Sequence, residues 1–212
     1  MSAKNVEHKF IVPNSVEVRD YQVNLANQAK NENCLIILPT GLGKTVVALH
    51  VIADYLTKGN GGVLFLAPTK VLVNQHYEFL KNTLAIDDIA LITGENLLTK
   101  RKKLWINSVI CATPEITRND IARKIVDTTQ FNLIIFDEAH RAVGDYAYVE
   151  IAKQLNKSNV RLLGMTATLP SEKEKAKEIC DNLHVRGLAE RNDSSPDVKP
   201  YIQETKTEWV TV

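Results

Sequence analysis

The chain has 212 residues, 44% of them hydrophobic, and its 26 Lys and Arg against 25 Asp and Glu leave a formal net charge of +1. This suits one sizeable α/β core plus a tail, and the weak global field means that any nucleic-acid binding must come from locally placed donors. No run is long enough to span a bilayer and the N-terminus lacks an apolar signal core, so a soluble, cytoplasmic protein without a membrane partner is expected.

Short apolar runs at residues 34–38, 62–67, 89–92, 108–112, 132–136 and 161–165 read as strands. Helical patterns separate them. Residues 45–56 are apolar nearly all round, as in a buried helix, and residues 69–84 follow a Pro-Thr turn. Pro114 suits the first turn of another helix with Thr113 as its cap. Ser171 and Glu174 form a capping-box signature before Ala176, Ile179, Cys180 and Leu183, which share one helical face. The alternating order predicts a mostly parallel sheet with helices on both faces, filling residues 1–191. Residues 192–200 are polar with two prolines and read as a linker, and residues 201–212 as one more extended segment.

Residues 38–45 read LPTGLGKT. Gly41 and Gly43 allow backbone conformations that a Cβ would forbid, so successive N–H groups can point at phosphate oxygens. Leu38, Pro39, Thr40, Gly41, Leu42, Gly43, Lys44 and Thr45 are thus the candidate nucleotide cradle. Lys44 would reach the β and γ phosphates, Thr45 would offer its hydroxyl to magnesium, and the following helix would turn its positive end toward the anion. Residues 136–140 read FDEAH behind the apolar run Phe131, Leu133, Ile134 and Ile135, the pattern of a buried parallel strand opening into a site. Asp137 would hold magnesium through its water shell, and Glu138 would polarise the attacking water. The two motifs together point to binding and hydrolysis of a nucleoside triphosphate, with ATP and Mg2+ as cofactors.

Arg19, Tyr21 and Gln22 upstream, Ala67 to Lys70 (APTK), Thr93 with Gly94, Thr113 to Glu115 (TPE) and Thr166 to Thr168 (TAT) complete a set in the order found in superfamily 2 helicases. The form PTG before GKT, with Leu38 where the general phosphate-loop pattern has Gly, is a helicase form. VEVRDYQ, LPTGLGKT, FDEAHRAVGDYAYV and SPDVKPYI resemble archaeal Hef and the Fanconi anaemia M-type and Mph-type DNA translocases. The resemblance covers most of the chain. It implies a RecA-like P-loop first motor domain acting on branched or forked DNA.

Under that resemblance Gln22 would hydrogen-bond the adenine edge, and Arg19 would stack on the base or brace the loop. Pro68, Thr69, Thr93, Gly94 and Thr113 sit at strand ends, where hydroxyls and free N–H groups could hold successive phosphates without reading sequence. Thr166, Thr168 and His140 would couple nucleotide state to domain closure. Nothing after Thr168 resembles a second motor domain, which would supply the arginine finger, or an XPF-type nuclease, so a half-motor is expected. A double-stranded-RNA-dependent motor of the Dicer and antiviral-sensor type, and a nucleotide-dependent binding module, are the alternatives.

Lys100, Arg101, Lys102 and Lys103 form a basic run near Trp105, read as a solvated helix face before a base-stacking platform. His8, His50, His76 and His184 show no ligand spacing with Cys34, Cys111 and Cys180, so no zinc site is expected. The cysteines read as reduced thiols, Cys34 and Cys111 buried in strands.

Overall fold

Alternation along the strands divides the core into two apolar layers, one on each side of a single sheet. In the computed structural model, which describes residues 4–59, 61–157 and 159–202, the strands are β1 (Cys34–Ile37), β2 (Gly62–Leu66), β3 (Ile89–Ile92), β4 (Val109–Ala112), β5 (Phe131–Asp137), β6 (Arg161–Thr166) and β7 (Gly187–Glu190). Among the described residues they form one seven-stranded sheet in the order β3-β4-β2-β5-β6-β1-β7, with every pairing parallel. The helices are α1 (Asp20–Ala29), α2 (Lys44–Lys58), α3 (Lys70–Thr83), α4 (Leu98–Leu104), α5 (Pro114–Ala122), α6 (Ala147–Leu155) and α7 (Lys173–Asn182).

On β5, Leu133 and Ile135 join the layer built with Leu25 of α1, Val47 and Ile52 of α2 and Val73 of α3. Ile134 and Phe136 point the other way, to Ile121 of α5, Ile151 of α6 and Ile179 of α7. Burial on both faces is why these strands read as unbroken apolar runs rather than alternating ones. Each fully buried Leu, Ile or Phe contributes about 1.5–3 kcal/mol, so these layers anchor the sheet on which the functional loops sit.

The expected strands and helices all appear, with ends moved by one or two residues. β7 was not legible: only Ala189 of its four residues is buried, because an edge strand pairs through its backbone and carries little apolar pattern. α1 and α6 likewise went unassigned from sequence. The capping box at Ser171 does not form, since α7 starts with Glu172 at its N-cap position and has no side-chain cap bond. Glu172 instead pairs with Lys175 at 3.0 Å. Thr113 does occupy the N-cap of α5, yet its side chain makes no cap bond.

The stretch expected as a linker folds back on the domain. Arg191 Nε donates to both carboxylate oxygens of Asp197, at 3.0 and 2.9 Å, and Val198 is fully buried. Tyr201 closes a single 3-10 turn (Lys199–Tyr201), and residues 203–212 of the expected extended segment lie outside the described residues. Cys34 and Cys111 are buried, Cys180 is half-buried, and all three are free thiols. Burial pushes the Cys34 thiol up to about 11. Among the described residues no helix is long and apolar enough to cross a membrane.

One buried group on α2 makes stability depend on pH. His50 Nε2 is buried and has no hydrogen-bond partner among the described residues, and burial lowers its pKa to about 4, with Lys30 and His8 adding to the shift. The folded pKa lies below the unfolded one. The unfolded chain therefore takes up a proton near pH 6.5 that the folded chain refuses until about pH 4. Chemical denaturation should show stability falling across that window, with His50 accounting for at most about 3 kcal/mol. In His50→Gln the fall should be correspondingly shallower.

Candidate nucleotide and nucleic-acid site

A parallel sheet delivers every outgoing loop to the same edge, and the register sets the strand ends level: Ile37 lies opposite Thr166, Met165 opposite Asp137, Phe136 opposite Leu66, Leu66 opposite Ala112, and Ala112 opposite Ile92. The order of strands then splits this edge in two. Loops after β1, β6 and β5 carry the nucleotide motifs, and loops after β2, β4 and β3 carry the threonines expected to meet nucleic acid.

On the first half the chain leaves β1 through Leu38, whose N–H donates to the Thr166 carbonyl at 3.0 Å. Pro39 and Thr40 follow, and Gly41 and Gly43 take φ of +88° and +83°. A side chain at Gly43 would be strained there and would strike the Gln22 amide. Gly43 is the N-cap of α2 and offers no side-chain cap, so the first N–H groups of a 15-residue helix face the loop, the arrangement that suits a phosphate. Lys44 Nζ donates to the Leu38 carbonyl at 3.0 Å, within the same loop.

α1 braces this loop. The Leu42 carbonyl accepts from Tyr21 Oη at 2.8 Å and from Gln22 Nε2 at 3.0 Å. Gln22 Oε1 is buried and unpartnered among the described residues, an acceptor suited to an amino group such as that of adenine. Arg19 lies 3.8 Å from Glu17 and stacks its guanidinium 5.5 Å from the Tyr201 ring centroid. Neither contact reaches the loop at residues 38–45.

Asp137, at 4% exposure, ends β5. Its carbonyl accepts from the Tyr148 hydroxyl at 2.7 Å, and the same hydroxyl lies 3.2 Å from the Leu66 carbonyl. Burial holds the Tyr148 phenol well above its usual pKa, so it stays a donor. The Asp137 side chain meets His76, whose Nε2 is 2.8 Å from Asp137 Oδ2 while Nδ1 is 3.3 Å from Thr45 Oγ1. Glu138 takes φ +51°, a left-handed conformation that costs a non-glycine residue about 1–3 kcal/mol. His140 Nδ1 lies 3.3 Å from Glu138 Oε2 and 3.0 Å from Thr166 Oγ1, and the Thr166 hydroxyl donates to the Thr168 carbonyl at 2.8 Å. The residues expected to couple nucleotide to closure are thus in contact.

On the second half Thr69 caps α3 by accepting from the Leu72 N–H at 3.2 Å, with Pro68 half-buried beside it. Thr93 turns inward: its N–H donates to Asn96 Oδ1 at 2.7 Å and its hydroxyl accepts from the Glu95 N–H. Gly94 is exposed with open space where a side chain would stand. Thr113 makes no side-chain cap bond.

The basic run does not form one solvated face. Arg101 and Trp105 are buried, and Asp120 accepts from Arg101 Nε at 2.8 Å, from its second nitrogen at 3.0 Å and from Trp105 Nε1 at 2.9 Å. The remaining Arg101 nitrogen donates to the Asn96 carbonyl at 2.7 Å, so this network fixes the loop bearing Thr93 and Gly94. Lys100, Lys102 and Lys103 are exposed, and Trp105 at 1% exposure is no stacking platform.

Among the described residues no His, Cys, Asp and Glu cluster could hold a structural metal. The magnesium expected beside a nucleotide is a different case: a hard cation taking few protein oxygens alongside phosphate oxygens. The hydroxyl of Thr45 and the carboxylate of Asp137, both joined to His76, are suitable donors next to the glycine-lined cradle. Sequence reasoning gave no structural role to His76, Tyr148 or Tyr21. No spacing signals their contacts, because each acts across elements that only folding brings together.

The DEAD/DEAH box helicase family matches residues 19–176. A putative ATP-dependent RNA helicase of Methanocaldococcus jannaschii is 42% identical over 204 residues, covering 95% of this chain and 26% of that protein. The Fanconi anemia group M protein homolog of Mus musculus is 35% identical over 96% of this chain and 10% of its own length, and the ATP-dependent DNA helicase MPH1 of Debaryomyces hansenii is 35% identical over 96% and 19%. The chain therefore spans about a quarter or less of these curated relatives. The crystal structure of the Pyrococcus furiosus Hef helicase domain superposes with a TM-score of 0.88 at 42% identity, over 91% of this chain and 42% of that one. The fold is RecA-like, as the sequence resemblance implied.

Two stability experiments test this geometry. Asp120→Ala strands a buried guanidinium and an indole N–H, so urea denaturation should show a loss of about 3–5 kcal/mol, far above that of Lys102→Ala. Thr69→Ala should lose about 0.5–2 kcal/mol with its cap. Thr113→Ala, despite the same N-cap position, should melt within a degree or two of wild type.

Proposed function

This chain belongs to the DEAD/DEAH box helicase family, and we propose that it is the ATP-binding half of a DNA translocase acting on forked or branched DNA. The observation that carries the reading is the convergence of Lys44, Thr45, Asp137 and Glu138 on one end of the sheet, beside a loop whose glycines leave room for phosphates. Gln22 offers its unpaired oxygen to the base. Lys44 exchanges the Leu38 carbonyl for phosphate oxygens. Thr45 and Asp137 would hold magnesium, which when bound neutralises phosphate charge. Glu138, fixed in its strained turn and close to His140, orients the attacking water.

The loops after β2, β3 and β4 lie on the same edge, so one strand can run across Thr69, Gly94 and Thr113 by its phosphates. Binding of this kind is insensitive to base sequence and weakens steeply with salt. A second RecA-like domain, closing over the nucleotide with an arginine finger, completes the motor; the first domain, expected over residues 1–191, also takes in the segment that folds back through Val198. The work belongs in the cytoplasm, on the nucleoid if the cell is archaeal. Relatives named as DNA helicases favour DNA, and the M. jannaschii relative carries the name of an RNA helicase, so both nucleic acids belong in the test.

Calorimetric titration of Mg-ATP should find Lys44→Ala strongly weakened, while Glu138→Gln binds like wild type. Steady-state assays should show slow turnover by this chain, and DNA-stimulated turnover in a longer protein carrying the second domain, lowered about 10²–10⁴-fold by Glu138→Gln. Equal affinity of Lys44→Ala would remove the cradle assignment. Robust DNA-stimulated turnover by this chain alone would refute the half-motor, and stimulation by double-stranded RNA but not forked DNA would move the substrate to RNA.

A further inference from the structure

Thr45 and Asp137 come from different elements, the first turn of α2 and the end of β5, and both contact one side chain that is neither a phosphate nor a metal ligand. His76, 9% exposed on α3, has Nδ1 3.3 Å from Thr45 Oγ1 and Nε2 2.8 Å from Asp137 Oδ2. Its ring packs on Phe65 of β2 with centroids 4.6 Å apart. Both nitrogens are therefore engaged and the ring plane is held from below.

A single tautomer serves both contacts. An ionised carboxylate can only accept, so Nε2 carries the hydrogen and donates it to Asp137. Nδ1 is then the acceptor and takes the Thr45 hydroxyl hydrogen. The consequence falls on the other side of each group. A threonine hydroxyl rotates freely unless held; with its hydrogen committed to Nδ1, both of its lone pairs are left for other partners. Likewise, tying down Oδ2 leaves the second Asp137 oxygen open to another partner. A cation needs oxygens presented by their lone pairs, and partners behind the ligands commonly provide that orientation.

We propose that His76 is a positioning residue for the magnesium-nucleotide complex, setting the Thr45 hydroxyl and the Asp137 carboxylate with their lone pairs turned toward the cation. The proposal rests on the reading of residues 38–45 and Asp137 as a magnesium-nucleotide site. His76 also belongs to the helix capped by Thr69, so the metal donors are tied directly to the element that begins the nucleic-acid half of the edge.

Three variants separate hydrogen bonding from packing. His76→Phe keeps a ring against Phe65 and removes both nitrogens. His76→Gln returns an amide donor at the reach of Nε2, and His76→Asn returns an acceptor at the reach of Nδ1. Binding of N-methylanthraniloyl-ADP is followed by fluorescence, as a function of magnesium and separately in EDTA, with a thermal melt of each protein. In His76→Phe the magnesium midpoint should rise about 10-fold or more, the scale on which such supporting partners act, with affinity in EDTA unchanged. His76→Gln should recover to within about threefold.

An unshifted midpoint in His76→Phe overturns the proposal, as does an equal loss of nucleotide with and without magnesium, which would make His76 a packing residue. Should His76→Phe not fold, His76→Asn takes its place: it loses the Asp137 contact, and an unshifted midpoint there overturns the proposal equally. Wild type that binds no magnesium-nucleotide defeats the site reading and this inference together, whereas normal wild-type binding with unshifted variants defeats the inference alone.

Discussion

The functional geometry depends on parallel pairing. Seven strands that all run the same way send every carboxyl-terminal loop to one edge, and their register brings Ile37, Thr166, Asp137, Leu66, Ala112 and Ile92 to nearly one level. Parallel sheets demand helices on both faces, and the two apolar layers meet that demand. An antiparallel strand at β5 would carry Asp137 to the opposite edge, away from Thr45. Chemistry at this site is therefore a property of strand direction before it is a property of any side chain.

On that edge, rigidity is unevenly distributed. The cradle is soft in its side chains and hard in its backbone: Lys44 rests on a carbonyl it can leave, while Tyr21 and Gln22 hold Leu42 and two glycines hold positive φ. Beneath Asp137 the support is harder still, since the Tyr148 hydroxyl joins the backbone ends of β2 and β5. Glu138 is held in a left-handed turn immediately afterwards. Strain of about 1–3 kcal/mol at such a residue persists only where the surroundings over-determine it, and here a buried strand on one side and a 3-10 turn on the other do so.

The half of the edge proposed for nucleic acid is organised by a buried charge rather than by exposed ones. Arg101 sits in a run of four basic residues, yet it is the one turned inward, fixed by Asp120 and reaching back to the Asn96 carbonyl. Asn96 in turn accepts the Thr93 N–H. The chain of bonds from Asp120 to Thr93 ties the loop after β3 to α5. Lys70, beside the Thr69 cap, pairs with Glu95 of the same loop, so the two expected phosphate contacts are linked at the surface as well.

Much of this was legible in sequence because local rules govern it. Apolar runs mark strands buried on both faces, glycines mark backbone that must turn left, and the motif residues from Arg19 to Thr168 follow one another in a recognisable order. The cradle, Asp137, Glu138 and the contact of His140 with Thr166 stand where that order places them. What local rules could not reach was anything decided by pairing across the fold. β7 has too little apolar pattern to announce an edge strand. Thr113 read as a cap from its place before Pro114, yet the side-chain cap bond forms at Thr69 and not at Thr113. Arg101 and Trp105 read as surface residues because Asp120, their partner, arrives from another helix. His76 looked like an isolated histidine, since the two oxygens that define its role are supplied by α2 and β5. Sequence determined which chemical groups are present and which strands they follow; the tertiary structure alone decided which of them touch, because a hydrogen bond between side chains 31 or 61 residues apart leaves no periodic trace along the chain.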